Sequence, residues 1–365
     1  MNYFSAVPDS PRLLAVSSFR SNSSNLDIIR AVAVMSVFFA HLRGLLMREE
    51  SLTAWHFAQM GVLTFFVHTS MVLMFSLERT QLFGRDRFLS FYLRRIFRIY
   101  PLSIFCVTVA MVTHRTPDIL DPFAYWTGKQ YFVNLALLTN LFYVRNMVGG
   151  LWTLPIEVQM YVTLPFLFLL GRRWGLCGLM PLWILSVPLA MLQLHYTQRL
   201  NMLGFAPCFI GGVISWNLST RVPRRLPGWL WPFAFVATWP VFFAAQHETD
   251  MPFRWAFCFL LGLSIPWFQE INCAPLQWLA HVLAKYSYGV YLSHIGVILW
   301  CFSLPVPRVV QWVVFLPLAF VVPFALFHLV EDPMIKAGQR LSNRMFRDSS
   351  AITLEAGADT IRRSR

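Results

Sequence analysis

The chain has 365 residues, of which 57% are hydrophobic and 13% are charged, and its mean hydropathy is +0.54. These values exclude a soluble domain with an ordinary core and indicate a polytopic membrane protein. Lys and Arg (30) outnumber Asp and Glu (17), but the basic residues lie between apolar segments. That pattern sets membrane topology and argues against a nucleic-acid partner.

The first 25 residues are polar and rich in Ser, and they contain no short apolar core followed by a cleavage site. We therefore expect a cytoplasmic N-terminal tail over residues 1–25, not a signal peptide. Ten apolar segments that are long enough, or nearly long enough, to span a bilayer predict an all-α bundle of about ten transmembrane helices. They lie at 26–45, 59–77, 96–113, 151–171, 174–194, 202–219, 228–245, 253–268, 286–303 and 309–330.

An eleventh apolar segment, Tyr131–Val144, is short for a span. If it does not cross the membrane, the main clusters of arginines all lie on the cytoplasmic side, as the distribution of basic residues in membrane proteins favours. We therefore expect 131–150 to be a non-crossing element on the outer side and both termini to be cytoplasmic. The domain boundaries follow as a transmembrane domain over 26–335 and a basic cytoplasmic tail over 336–365.

Two polar residues stand out in the first apolar helix, Arg30 and His41. Their separation of eleven residues is three helical turns, so both should lie on one face, about 16 Å apart. Because an Arg inside the bilayer is costly, such residues usually face a polar interior and mark a functional site. The alternative is an Arg that extends to the cytoplasmic surface and a His that bonds to a neighbouring helix.

On the predicted topology, Glu157 enters from the outer side, at a depth comparable to that of His41. We therefore expect the Glu157 carboxylate to orient the His41 imidazole, which is the usual arrangement of a general base that acts on a hydroxyl. The alternative is a packing role for Glu157 with another polar group.

Three arginines, Arg94, Arg95 and Arg98, lie at the cytoplasmic end of the third apolar segment. Guanidinium groups clustered in this way form a phosphate site, and Arg30 approaches from the same side. The alternative is an anchor on anionic lipid headgroups.

Other buried polar residues have structural interpretations as well as functional ones. His68 and His294 lie within apolar segments and either could line a passage, although a bond to a nearby hydroxyl explains each. Glu331 and Asp332 end the last apolar segment, where we expect them to form ion pairs with the arginine cluster. The six cysteines show neither CxxC nor metal-ligand spacing, so we expect no disulfide framework and no metal.

The sequence lacks a GxSxG elbow, an HExxH motif, a Walker A loop and a GxGxxG turn after a strand. This disfavours a serine hydrolase, a zinc protease and an ATP-driven pump.

Five segments in order resemble the motifs of the acyltransferase-3 family of integral-membrane acyltransferases, and the resemblance covers most of residues 25–340. The segment with Arg30 and His41 resembles the opening motif, and the arginine-rich segment resembles the cytoplasmic motif. A third segment holds Trp152, Glu157 and Tyr161. The five segments read NLDIIRAVAVMSVFFAHL, FYLRRIFRIYP, LWTLPIEVQMYVTLP, YSYGVYLSH and EDPMIKAGQR.

The resemblance implies an acyl donor, usually acetyl-coenzyme A, bound from the cytoplasm, and a hydroxyl acceptor on an envelope or exported carbohydrate or glycolipid. The chain departs from the family pattern at Ile28 and Ile29, where a Gly is common before the Arg. It also departs at Leu63, where an acidic residue is common, at His68, where an apolar residue is common, and at Val158, where a second Glu is common.

The sequence thus predicts an O-acyltransferase, most simply an acetyltransferase, in the lipid of a bacterial cytoplasmic membrane. His41, Glu157 and Arg30 are the expected catalytic residues, and Arg94, Arg95, Arg98 and Arg30 are expected to bind acetyl-coenzyme A. A covalent acyl-histidine relay is an alternative mechanism. The alternative function is a transporter or flippase for a carbohydrate or a lipid-linked anion.

Overall fold

The computed structural model describes residues 23–47, 52–115, 125–197, 199, 201–245 and 250–346. Within these residues the chain is a helical bundle with no β-strand. The helices, in chain order, are α1 (Ser24–Met47), α2 (Leu52–Arg79), α3 (Gly84–Thr113), α4 (Gly128–Leu135), α5 (Thr139–Phe142), α6 (Thr153–Trp174), α7 (Leu176–Tyr196), α8 (Asn201–Ser219), α9 (Trp231–Ala237), α10 (Trp239–Phe243), α11 (Met251–Ser264), α12 (Ala274–Phe302) and α13 (Arg308–Leu326).

Seven helical segments in this part of the chain are long and apolar enough to cross a membrane. The all-α polytopic bundle predicted from the sequence is therefore confirmed. The seven segments contain α1, α2, α3, α6, α7, α8 and α13. The 29-residue α12 also has sufficient length, but it carries polar residues such as His281 and Lys285 and is not one of the seven.

Two of the ten predicted spans are shorter than expected. The segment 228–245 forms α9 and α10, which are interrupted at Thr238, where the hydroxyl donates to the Phe235 carbonyl at 2.6 Å. The following Pro240 has no N–H to continue the α9 hydrogen bonds. The segment 253–268 holds α11, which is 14 residues long.

Residues 125–152 form a compact element of short helices. The 8-residue α4 begins with a capping box between Thr127 and Gln130, and the 4-residue α5 follows. The buried Asn134 amide donates to the Arg145 carbonyl at 3.1 Å and accepts from the Met147 N–H at 2.9 Å. Neither helix is long enough to span a bilayer, as predicted for 131–150. Its position on the outer side stays a prediction.

The centre of the bundle is formed by α1, which packs against α2 and α12, and by α8, which packs against α2, α7 and α11. Glycines allow the closest approaches of α8. A Cβ added to Gly212 would lie 2.2 Å from the Val67 carbonyl oxygen, and one added to Gly262 would lie 2.4 Å from the Gly211 carbonyl oxygen. Small residues of this kind let transmembrane helices pack backbone against backbone.

Hydrogen bonds to the segment before α12 fix the start of α1. The buried Asn25 side chain donates to the Gln269 carbonyl at 2.9 Å and accepts from the Ile271 N–H at 3.1 Å. Glu270 accepts from the Ser23 hydroxyl at 2.7 Å. These contacts hold α1 beside α12, and the candidate site lies between these two helices and their neighbours.

The last helix does not stop at the predicted domain boundary of 335. It continues from α13 through a single π-helical turn, Phe327–Glu331, and is helical to Phe346. This continuation packs on α3, because the Ser342 and Ser90 hydroxyls lie 2.7 Å apart. The outer parts of the two predicted tails, 1–22 and 347–365, lie outside the described residues.

Candidate functional site

A cavity of about 110 Å³ lies where α1, α2, α3, α6 and α12 meet. Its volume is sufficient for several water molecules or for one phosphate-sized group. Ionisable side chains from all five helices line it, although the surrounding bundle is apolar. They are Arg30, His68, Arg95, Arg98, Glu157, Tyr161, Tyr288 and Tyr291.

Arg30 projects from α1 toward α12. Its Nε donates to the Ser287 hydroxyl at 2.7 Å, and that hydroxyl donates to the Ala284 carbonyl at 2.8 Å. Further along α1, the His41 ring contacts His294, also on α12. Arg30 and His41 therefore face the same helix, which confirms the prediction that they share one face of α1.

The three arginines of α3 divide between two environments. Arg98 forms an ion pair with the fully buried Glu331. Arg95 lines the cavity with a buried Nε that has no hydrogen-bond partner among the described residues. Arg94 lies outside the cavity, because its guanidinium contacts the side chains of Ser342 and Asn343 at 3.4 Å. Of the three predicted arginines, Arg95 and Arg98 therefore line the cavity and Arg94 does not. Arg30 lines it with them.

The predicted ion pairs of the last helix are confirmed for one of the two carboxylates. Glu331 pairs with Arg98, whereas Asp332 pairs with Lys336 at 2.6 Å within its own helix. Three guanidinium groups therefore face two carboxylates, Glu157 and Glu331, around the cavity. An anion that entered here would meet a positive site in a low-dielectric environment.

Glu157 lies at the depth of Arg30, not at the depth of His41. Its carboxylate accepts a hydrogen bond from Tyr161 one turn along α6, and no hydrogen bond joins it to His41. The expectation that Glu157 orients His41 is wrong. The reason is that α6 begins inside the bundle, where the Thr153 and Tyr291 hydroxyls lie 2.8 Å apart, so its first turns reach the arginines.

His41 instead meets His294. Their ring centroids are 5.0 Å apart, and His41 Nδ1 lies 3.3 Å from His294 Nε2. His41 Nδ1 also lies 2.8 Å from the Val37 carbonyl oxygen. Since a carbonyl oxygen can only accept, His41 carries its proton on Nδ1, and Nε2 has the free lone pair. A backbone carbonyl thus fixes the tautomer in place of the expected carboxylate.

Tyr291 separates the arginine cavity from the two histidines. Its side chain lines the cavity, and its ring centroid lies 6.1 Å from that of His294. A single aromatic residue therefore stands between the arginine-lined cavity and the pair of histidines.

Sequence reasoning singled out His294 but did not pair it with His41, and it did not assign Ser287. Both residues lie in the YSYGVYLSH segment, and their spacing of seven residues is two helical turns, which places them on one face. The Arg30 and His41 spacing is three turns. Each of the two helices thus carries two polar residues separated by a near-integral number of turns. This spacing on both helices is the signal that could have revealed the contact between His41 and His294.

Comparisons with known proteins agree with the geometry. A family model described as an acyltransferase domain matches residues 23–328. The chain is also similar to Nodulation protein 10 of Rhizobium leguminosarum bv. viciae, with 25% identity over an alignment of 226 residues. The match covers 56% of this chain and 59% of that protein. No solved structure matches significantly. Because the family model covers the bundle from the start of α1 into the π-helical turn, the chain belongs to the acyltransferase-3 family of membrane acyltransferases.

Proposed function

We propose that this chain is an O-acyltransferase of a bacterial cytoplasmic membrane. It moves an acyl group, most simply acetyl, from coenzyme A on the cytoplasmic side to a hydroxyl of a carbohydrate, a glycolipid or another exported acceptor. The observation that supports this proposal best is the arrangement along α1 and α12 of a guanidinium-lined cavity followed by an imidazole with a free Nε2.

The cavity suits a phosphate group of the donor. Arg95 has a buried N–H without a partner in the part of the chain that the structure describes, and leaving such a group unsatisfied is costly unless a ligand completes it. Arg30 and Arg98 line the same space. Guanidinium groups donate to phosphate oxygens in a planar, bidentate geometry, which gives strong and specific contacts.

The acceptor hydroxyl would react at His41. His41 Nε2 takes the hydroxyl proton while the alcohol oxygen forms a bond to the thioester carbon. The carbon–sulfur bond then breaks, and the thiolate takes the proton from Nε2 to give the free thiol. A positioned base of this kind contributes about 10² to 10⁴ in rate.

The separation of the two regions suits this donor. Eleven residues of helix place Arg30 and His41 about 16 Å apart. The extended pantetheine arm of coenzyme A can bridge that distance, with its phosphates near the arginines and its thioester beyond Tyr291.

The donor half of the proposal is tested by binding of coenzyme A to the purified protein in lipid nanodiscs. Replacing Arg95 by Gln removes a charge-assisted contact, so we expect the dissociation constant to rise by about 10- to 100-fold. The matched control is Arg85→Gln, an exposed position in the first turn of the same helix, which should bind as the wild type does. Equal affinity in both variants would contradict the phosphate role.

The transfer half is tested with radiolabelled acetyl-coenzyme A and membranes that contain the chain, followed by fractionation of the envelope carbohydrate. We expect label in a carbohydrate fraction with the wild type and with His195→Ala, an exposed histidine, and none with folded His41→Ala. No label with the wild type would reject acetyl-coenzyme A as the donor and would favour another acyl donor or the transporter function.

A further inference from the structure

The paired histidines of α1 and α12 have no carboxylate partner within the described residues. The hydrogen-bond partners of His41 are the Val37 carbonyl and His294, and those of His294 are two backbone carbonyls and His41. A general base usually has an acidic group on its second nitrogen to hold the ring and to stabilise the cation that forms. Here a second imidazole lies in that position.

The protonation of His294 follows from its own contacts. Its Nδ1 lies 2.8 Å from the Tyr291 carbonyl oxygen and 3.1 Å from the Val290 carbonyl oxygen. Both oxygens can only accept, so Nδ1 carries the proton, and Nε2 is an acceptor in the neutral ring. The residue is 3% exposed, which fixes the ring within the bundle.

The two rings therefore have complementary roles. His41 has its proton on Nδ1, 3.3 Å from the accepting Nε2 of His294, so this N–H is shared between His294 and the Val37 carbonyl. The side chain of His41 remains partly exposed, and its hydrogen bonds to the described residues all use Nδ1. One nitrogen of His41 is thus held by hydrogen bonds, and the other forms none with the described residues.

We propose that His294 is the positioning residue of His41, and that its neutral Nε2 takes the place of the expected carboxylate. This inference rests on the proposed function. During transfer the acceptor hydroxyl gives its proton to His41 Nε2, and the positive charge spreads to Nδ1–H. The hydrogen bond from Nδ1–H to His294 Nε2 then becomes charge-assisted and stronger. His294 keeps its own proton throughout, and the thiolate leaving group removes the proton from His41.

Three substitutions at one position separate this role from packing. His294→Gln can place its amide oxygen near the site of the lost Nε2. His294→Asn is shorter, so its polar atoms lie near the site of Nδ1 and do not reach His41. His294→Leu fills the volume without any acceptor. We expect the Leu and Asn variants to lose about 10- to 100-fold in kcat with an unchanged KM for the donor, and the Gln variant to recover most of that loss.

The activity assay uses radiolabelled acetyl-coenzyme A and membranes with equal amounts of folded protein. If the wild type transfers label and all three variants match it, the inference is overturned and the proposed function stands. If Gln is as inactive as Leu, the inference is also overturned, because an acceptor at that place is then not what matters. Rescue by Gln and not by Asn supports it.

A second measurement does not require turnover and so covers the case in which the wild type transfers no label. Solid-state ¹⁵N spectra of histidine-labelled protein in lipid, assigned with His41→Ala and His294→Ala, report the protonated nitrogen of each ring. We expect Nδ1–H in both rings and a change at His41 Nδ1 in the Leu and Asn variants that Gln reverses. An Nε2–H tautomer at His41, or a His41 signal that does not respond to the variants, would overturn the inference.

Discussion

Replacing Gly212 by Ala should separate α8 from α2. The new methyl carbon would lie 2.0 Å from the Ser70 Oγ and 2.2 Å from the Val67 carbonyl oxygen. The Ser70 hydroxyl can rotate away, but the Val67 carbonyl belongs to the backbone of α2 and cannot. Ordinary contact begins at 3.4 Å, so the two helices must move apart by about 1.2 Å at this point.

That displacement sets the size of the effect. Overpacking a close-packed site usually costs about 1–3 kcal/mol, and the rigid carbonyl places Gly212→Ala at the upper end of this range. For a chain of 365 residues, an unfolding entropy of about 2.1 cal/mol/K per residue makes about 3 kcal/mol correspond to a decrease in Tm of about 4 °C. Since membrane proteins commonly unfold irreversibly, variants are compared at one scan rate in one detergent.

The matched control is Gly44→Ala in α1, where an added Cβ has no atom within 4 Å. There the substitution should leave Tm unchanged or raise it slightly, because Ala favours the helix by up to about 1 kcal/mol. The reasoning is refuted if Gly212→Ala unfolds within 1 °C of the control, since the contact with the α2 backbone would then not be close.

Three further variants and one control variant test the polar contacts of the bundle by the same thermal assay. Glu331→Gln leaves the charge of Arg98 without its buried partner and should lower the free energy of unfolding by about 3 kcal/mol. The control is Asp332→Asn, from an exposed ion pair, which should lower it by less than about 1 kcal/mol. Equal Tm values for the two variants would contradict this expectation. Asn25→Ala leaves two backbone groups before α12 unpaired and should cost about 2 kcal/mol, and an unchanged Tm would show that water replaces the side chain. His68→Leu removes a buried Nδ1 that has no partner within the described ranges, so Tm should stay equal or rise by the equivalent of about 1 kcal/mol. A clear fall in Tm would reveal a contact at this nitrogen.

Hydropathy and helical period were sufficient to predict the class of fold and the shared face of Arg30 and His41. Both signals are local, because each helix has its own apolar length and its own 3.6-residue repeat. The same signals overestimated the lengths of the helices at 228–245 and 253–268, where prolines and polar side chains shorten the helices.

The depth of a residue on one helix relative to residues on another helix could not be predicted in the same way. Topology placed Glu157 near the outer surface, since α6 was assumed to begin at the membrane boundary. In the structure α6 begins beside Tyr291 within the bundle, because the preceding short helices pack into it. The partner of His41 is therefore on α12 and not on α6. This partner is determined by how α1, α6 and α12 pack together, and no two of these helices are adjacent in the sequence.

The π-helical turn at Phe327–Glu331 has a consequence for everything that follows it in the helix. Such a turn contains one residue more than an α-helical turn, so it rotates the rest of the helix by roughly 100° about its axis. The contacts of Ser342 with Ser90 and of Gly338 with Phe97 depend on that rotation. In relatives of this chain, loss or gain of one residue here would change which side of the helix faces α3 while leaving every side chain chemically the same.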